Sequence, residues 1–166
     1  MLARTPPPPA DPLRGAVAGL VAGLFASLAM TVFQAGAAKL FPDALGGDDD
    51  EPATEKAADR LSTAATAQPV PEDDKPLAGE LVHYAFGAVL GAGYGIAGEY
   101  GGAVTAGGGT AFGTATALIF DDIVVSALRL GPPATETKPA THVYGLASHL
   151  VFGLVLEGGR RLLRGR

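Results

Sequence analysis

The chain has 166 residues and a net charge of −5 at neutral pH; 48% of its residues are hydrophobic, 17% are charged, 24 are glycine and none is cysteine. This composition, with its positive mean hydropathy, is typical of a membrane protein. The absence of cysteine excludes thiolate metal sites and thiol nucleophiles, and no basic face is present that could bind nucleic acid.

The chain begins with a proline-rich arm at residues 1–14, which we expect to be disordered because four consecutive prolines prevent a helix. The first predicted transmembrane helix covers residues 15–40, and Pro42 with the glycines that follow ends it. Arg4 and Arg14 before this apolar run also allow a secretory signal peptide, although the run is longer than a typical signal core.

An acidic loop at residues 41–76 follows, and Pro52 in a first turn predicts an amphipathic helix near residues 52–67. The remaining predicted segments are the second transmembrane helix at 77–100, the third at 103–130, a loop at 131–140, and the fourth helix at 141–163 with an arginine-rich C-terminus. The sequence therefore predicts an all-α integral membrane four-helix bundle.

Two segments of the second and fourth predicted helices resemble each other. HYAFGAVL begins at His83 and HLVFGLVL begins at His149, with His, Phe, Gly, Val and Leu at the same offsets. The bundle could therefore consist of two similar helical hairpins. Because four arginines lie close to the end of the last span, we expect both termini in the cytoplasm and the acidic loop outside.

Glycines spaced four residues apart predict close contacts between helices, because small residues allow helix backbones to approach each other in a lipid environment. The predicted packing positions are Gly19, Gly23, Gly87, Gly91, Gly95 and Gly113. The same faces would also suit self-association.

Several polar residues interrupt the predicted spans at one depth. Their positions along the helices place them in a single polar layer roughly 10 to 13 Å from the outer surface: Asp121, Asp122, His83, His149 and Gln34. A charged aspartate near the membrane centre costs about 2.5 kcal/mol or more, so these groups should face the bundle interior. Because neighbouring residues of a helix diverge by about 100°, only one of the two aspartates should point at its axis.

Four interpretations of this layer remain open: hydrogen bonds that hold the helices together, a proton or cation path, a metal site, and an enzyme active site. Hydrogen bonding is favoured, since no short-range ligand spacing or catalytic motif is present. His142 is expected to be a solvated residue at the membrane interface. Glu99 and Glu157 lie near the inner ends, and Glu157 is expected to form a surface ion pair with Arg160 or Arg161.

The sequence resembles the YagU-type bacterial inner-membrane proteins in the blocks LVHYAFGAVLGAGYGIAGE, FGTATALIFDDIVVSALRLGPPAT and HVYGLASHLVFGLVLEGGRRLL. The resemblance extends to the first span and to the acidic EKAADRLS segment. It implies a small multispan protein of uncharacterised biochemistry, associated in broad family terms with acid tolerance, and it supplies no active site.

We therefore expect a non-enzymatic inner-membrane protein without cofactor, metal site or catalytic residues. Its pH response or acid tolerance would depend on the Asp/His layer. The alternative is a subunit of a proton, cation or metal-ion permease. The lipid bilayer is the expected partner, self-association would fit the glycine faces, and we expect no nucleic-acid binding.

Overall fold

The structure, a computed structural model, describes residues 9–42 and 51–165, which are helical apart from the connecting segments. Five helices follow in order: α1 (Pro12–Leu40), α2 (Ala53–Thr66), α3 (Lys75–Tyr100), α4 (Ala106–Ala127) and α5 (Pro139–Arg164). All except α2 are long and apolar enough to cross a membrane. The predicted all-α bundle with four spans is confirmed.

Helix α1 begins three residues earlier than predicted, so residues 12–14 are helical and do not belong to an irregular arm. Asp11 is the N-cap, and its carboxylate accepts a hydrogen bond from the N–H of Arg14 at 3.0 Å. Pro12 fits the first turn, where its missing N–H costs nothing. The rest of the arm, residues 1–8, lies outside the described residues.

Helices α1 and α3 are antiparallel, and their backbones touch at glycines. A Cβ atom on Gly19 would collide with the carbonyl oxygen of Gly91, and one on Gly23 with the carbonyl oxygen of Gly87. This contact is continued by Gly95, which faces Gly15. Side chains at these positions would push the two helices apart, so the close packing depends on glycine.

Helix α5 packs against α1 on one side and α4 on the other. Gly113 of α4 lies against the carbonyl oxygen of His149, and Gly109 lies against Gly153. In both hairpins, therefore, a glycine four residues after a histidine contacts a glycine of the preceding span: Gly87 contacts Gly23, and Gly153 contacts Gly109. This shared arrangement agrees with two similar hairpins.

Helix α4 is irregular at both ends and in the middle. Its first turn contains Gly107, Gly108 and Gly109, all with positive φ, and residues Ala117–Val124 form a π-helix. The helix ends at Ala127, three residues before the predicted end, because Leu128 and Arg129 leave the helical conformation.

The centre of the bundle is apolar, and its outside carries many large exposed hydrophobic residues, as lipid contact requires. We call the end with Asp11, Tyr100 and Arg164 the inner end, and the end with Leu40 and Pro139 the outer end. The buried central cluster consists of Ala22, Ala26, Met30, Tyr94, Phe152 and Leu156.

Candidate functional site

Two carboxylate–histidine pairs join α4 to α5 near the outer end of the bundle. In the deeper pair, Nε2 of His149 lies 3.2 Å from Oδ1 and 3.1 Å from Oδ2 of Asp121. The imidazole is 11% exposed and the carboxylate 44% exposed. Gly145 leaves room for the carboxylate, since a Cβ there would lie 3.0 Å from Asp121 Oδ2.

The second pair lies closer to the outer end and was not predicted. Nδ1 of His142 is 3.0 Å from Oδ1 of Asp122, and Nε2 of His142 is 3.0 Å from the carbonyl oxygen of Ala134. The side chain of His142 is 37% exposed near the outer end, and it also forms a contact with α4 that was not expected of an interface residue. The sequence spacing could have indicated this second pair, because His142 and His149 are two turns apart on one face of the helix.

The π-helix explains how both aspartates reach the same neighbouring helix. Asp121 and Asp122 lie in the middle of Ala117–Val124. Hydrogen bonds from i to i+5 widen each turn, so neighbouring side chains diverge by less than the about 100° of an α-helix. The two carboxylates therefore contact His149 and His142 of α5.

The two histidines have different hydrogen-bonding environments. Both ring nitrogens of His142 face acceptors, a carboxylate and a carbonyl, so the doubly protonated imidazolium satisfies both contacts. In contrast, Nδ1 of His149 is buried without a partner. A neutral imidazole that donates from Nε2 to Asp121 fits this environment, whereas a second proton would be a buried donor without an acceptor.

The other predicted members of the polar layer are not part of these pairs. Nε2 of His83 lies 3.4 Å from the carbonyl oxygen of Ser27, which links α3 to α1. Gln34 is half-buried on α1, and within residues 9–42 and 51–165 it forms no hydrogen bond with the other four residues. The predicted single layer is thus divided between the α4–α5 contact and the α1–α3 contact.

Below His149 the bundle interior is mainly apolar, with the buried hydroxyl of Ser27 as an exception. Phe152, one turn further along α5, is 3% exposed, and Leu156 in the next turn is fully buried. They pack with Met30, Tyr94 and Ala26 in the central cluster. This cluster separates the two Asp–His pairs from the polar groups at the inner end.

A buried ionic cluster lies at the inner end, where surface ion pairs were expected. Glu157 is 2% exposed and accepts hydrogen bonds from Tyr94 Oη at 2.9 Å, Arg160 Nε at 2.7 Å and Arg161 Nε at 2.6 Å. Arg160 is itself 5% exposed. The helix spacing indicated the pairing of Glu157 with these arginines, but the burial and the contact with Tyr94 depend on packing between α3 and α5.

A second carboxylate at the inner end connects three helices. The side chain of Glu99 is fully buried and accepts two hydrogen bonds from Arg164, at 2.7 and 2.9 Å. It also accepts the backbone N–H of Asp11 at 2.8 Å. Glu99 therefore ties the end of α3 to the beginning of α1 and the end of α5.

The loop helix α2 contacts the outer end of α4 through Arg60. Its guanidinium donates to the carbonyl oxygens of Leu128 and Arg129, the latter at 2.9 Å. These carbonyls lie just beyond the C-terminus of α4, where a cation is favourable. Arg60 thus connects α2 to the end of the helix that carries the two aspartates.

Among the described residues, no group of three or more His, Asp or Glu side chains is arranged to hold a metal ion.

Residues 28–158, which contain both Asp–His pairs and Glu157, match the family described as "Protein of unknown function (DUF1440)". The comparison with curated proteins and the comparison with solved structures gave no match.

Proposed function

We propose that this chain, which belongs to the DUF1440 family of proteins of unknown function, is a non-enzymatic protein of the bacterial inner membrane that responds to pH. Both termini would lie in the cytoplasm, the bilayer would be its main partner, and it would not bind nucleic acid. The acid tolerance implied by the resemblance to YagU-type proteins belongs to this proposal.

The observation that carries the proposal is the environment of His142. Histidine changes charge between about pH 5 and 8. When His142 is an imidazolium, it can donate to both Asp122 and the Ala134 carbonyl. When it loses a proton, one of these two contacts is lost, and the ion pair with Asp122 becomes a neutral–anionic hydrogen bond or disappears.

The sign of the pH effect follows from these contacts. Both contacts of His142 form only while each of its ring nitrogens carries a hydrogen, so the doubly protonated ring joins α5 to both Asp122 and the Ala134 carbonyl. His142 faces Asp122 of α4, and the neighbouring pair along the same helices is His149 with Asp121. Acidification should therefore tighten the contact between α4, α5 and the loop between them.

A permease subunit for protons, cations or metal ions is the alternative function. The unpartnered Nδ1 of His149 favours it, since a buried polar atom could take part in proton transfer. The apolar cluster of Phe152, Leu156 and Met30 favours a switch instead, because it interrupts the polar groups between the outer and inner ends.

The test is thermal unfolding in lipid nanodiscs at about pH 8 and about pH 5, the limits of the histidine range. We expect the native protein to be more stable at the lower pH by about 1.5 kcal/mol, the contribution of one hydrogen bond between charged groups. His142→Gln should abolish this difference. The matched variant His149→Gln should retain it while lowering stability at both pH values.

Persistence of the full pH difference in His142→Gln would contradict the proposal. Proton flux into liposomes under an imposed pH gradient distinguishes the pH-responsive protein from the permease subunit. We expect no flux from the native protein, whereas flux that disappears in a folded variant with Asp121→Asn and Asp122→Asn would favour the permease.

A further inference from the structure

Helix α4 is attached to α5 differently in its two halves. In the inner half the two backbones touch, because a Cβ atom on Gly109 would collide with the carbonyl oxygen of Gly153. Gly113 meets the carbonyl oxygen of His149 in the same way. In the outer half, the two Asp–His pairs connect the helices. Backbone packing therefore fixes the inner half of α4, whereas the direction of the outer half depends on side-chain contacts.

The π-helix Ala117–Val124 begins after the inner half and contains both aspartates. A π-helical hydrogen bond closes one residue later than an α-helical one, and the conformation is rare in proteins. In an α-helix, Asp121 and Asp122 would diverge by about 100°, and only one of them could reach α5. The π-helix thus permits both pairs, and the two pairs together hold the segment in this rare conformation.

The end of α4 beyond the π-helix is read by two other parts of the chain. Arg60 of α2 donates to the carbonyl oxygens of Leu128 and Arg129. Ser126 Oγ accepts the backbone N–H of Ala134, in the loop between α4 and α5, at 3.2 Å. Hydrogen bonds weaken steeply when their angles change, so these contacts depend on the direction in which the end of α4 points.

We propose that the π-helix Ala117–Val124 is a two-state element that couples the two Asp–His pairs to α2. When both pairs are formed, the segment is a π-helix and Arg60 contacts the end of α4. When either pair is lost, the segment relaxes to an α-helix. Because glycine contacts fix the inner half, the outer half turns relative to it by about 100°, the angle of one residue, and the carbonyls of Leu128 and Arg129 leave Arg60.

This coupling goes beyond the proposed pH response and does not rest on it, since any loss of a pair has the same effect. Substitutions at a single pH therefore test it, and they leave the titration of His142 aside. The chain contains no cysteine, so spin labels can be attached to single introduced cysteines without background.

The test is a spin-label scan in nanodiscs along residues 110–115 of the inner half and residues 123–128 of the outer half. Collision with oxygen, which dissolves in the bilayer, is most frequent at lipid-facing positions, so its pattern along a helix reports the direction of each face. In Asp122→Ala, we expect the pattern at 123–128 to shift by about 100°. The pattern at 110–115 should stay as in the native protein.

A second variant, His142→Ala, removes the same pair from the side of α5 and should produce the same shift. The matched control Glu136→Ala removes an exposed carboxylate from the loop between α4 and α5, and both patterns should stay unchanged. Deletion of Leu118, an exposed residue of the π-helix, removes the extra residue directly. In that background, Asp122→Ala should cause no further turn. Circular dichroism verifies the helix content of each variant.

The coupling to α2 is measured with a label at Leu61→Cys, which directly follows Arg60 and is 62% exposed. Arg60→Gln should increase the mobility of this label, and Asp122→Ala should increase it equally. Three results would overturn the proposal: an unchanged pattern at 123–128 in both pair variants, a shift of both series together, or unchanged mobility at Leu61→Cys in Asp122→Ala.

Discussion

His142 and His149 are both paired with aspartates, but their ring nitrogens face different groups. His142 has an acceptor at each nitrogen, whereas His149 has an acceptor only at Nε2. The first environment suits an imidazolium and the second a neutral ring. For this reason we assign the pH response to His142, although His149 is the more deeply buried of the two.

Glu157 allows a test of the buried ionic cluster at the inner end. Glu157→Gln would leave Arg160 and Arg161 without their carboxylate, and we expect a loss of about 3 kcal/mol in the free energy of unfolding. Tyr94→Phe removes one hydrogen bond from a carboxylate that keeps its arginines, so about 1 kcal/mol is expected.

The control for this series is Glu136→Gln, at an exposed position in the loop between α4 and α5. Thermal unfolding in detergent, followed by circular dichroism, gives the order of the three variants. A loss for Glu136→Gln as large as that for Glu157→Gln would refute the assignment of a specific role to the buried cluster.

At the level of helices, the contact between α1 and α3 depends on the absence of side chains. Gly91→Ala would place a methyl group against the carbonyl oxygen and backbone of Gly19, and overpacking of this kind costs about 1–3 kcal/mol. Gly93→Ala is the matched control on the same helix, because nothing lies within 4 Å of its Cβ position. Alanine there should stabilise the helix by about 0.5–1 kcal/mol.

The measurement is the midpoint of thermal unfolding of both variants in the same detergent. We predict changes of opposite sign. Destabilisation of similar size in both would contradict the assignment to contact between α1 and α3, because a methyl group on Gly93 meets no neighbour.

The four spanning helices could be predicted from the sequence because each is a long apolar run that ends at glycine, proline or charge. The sequence predicts which glycines lie at helix contacts, since Gly19 and Gly23, and likewise Gly87 and Gly91, are four residues apart. Which glycine contacts which is seen only in the structure. The pairing of Asp121 with His149 agrees with their predicted common depth, which follows from counting residues from the ends of the two helices.

The second pair could not be predicted in the same way. The prediction that only one of the two aspartates points at the bundle axis requires an ideal α-helix. The π-helix at Ala117–Val124 changes the directions of Asp121 and Asp122. No local sequence signal identifies a π-helix. The burial of Glu157 was equally inaccessible, because it depends on Tyr94, which is 63 residues away in the chain.

At the scale of the whole molecule, four helices that each cross the membrane would place the beginning of α1 and the end of α5 on one side and α2 on the other. Because the chain contains no cysteine, single introduced cysteines report this arrangement without background. In intact cells, a membrane-impermeant maleimide should label Leu61→Cys on α2, which is 62% exposed. It should label Gly165→Cys only after the membrane is opened. Labelling with the reverse pattern would place the termini outside.

The central claim is that acidification tightens the contact between α4 and α5 through His142. The most direct measurement is the distance between spin labels at Ile123→Cys on α4 and Leu146→Cys on α5, both exposed positions, in nanodiscs at about pH 8 and about pH 5. We predict a shorter and narrower distance distribution at the lower pH, and no change when His142→Gln is added. A distribution that is the same at both pH values, or one that still changes in His142→Gln, would contradict the account.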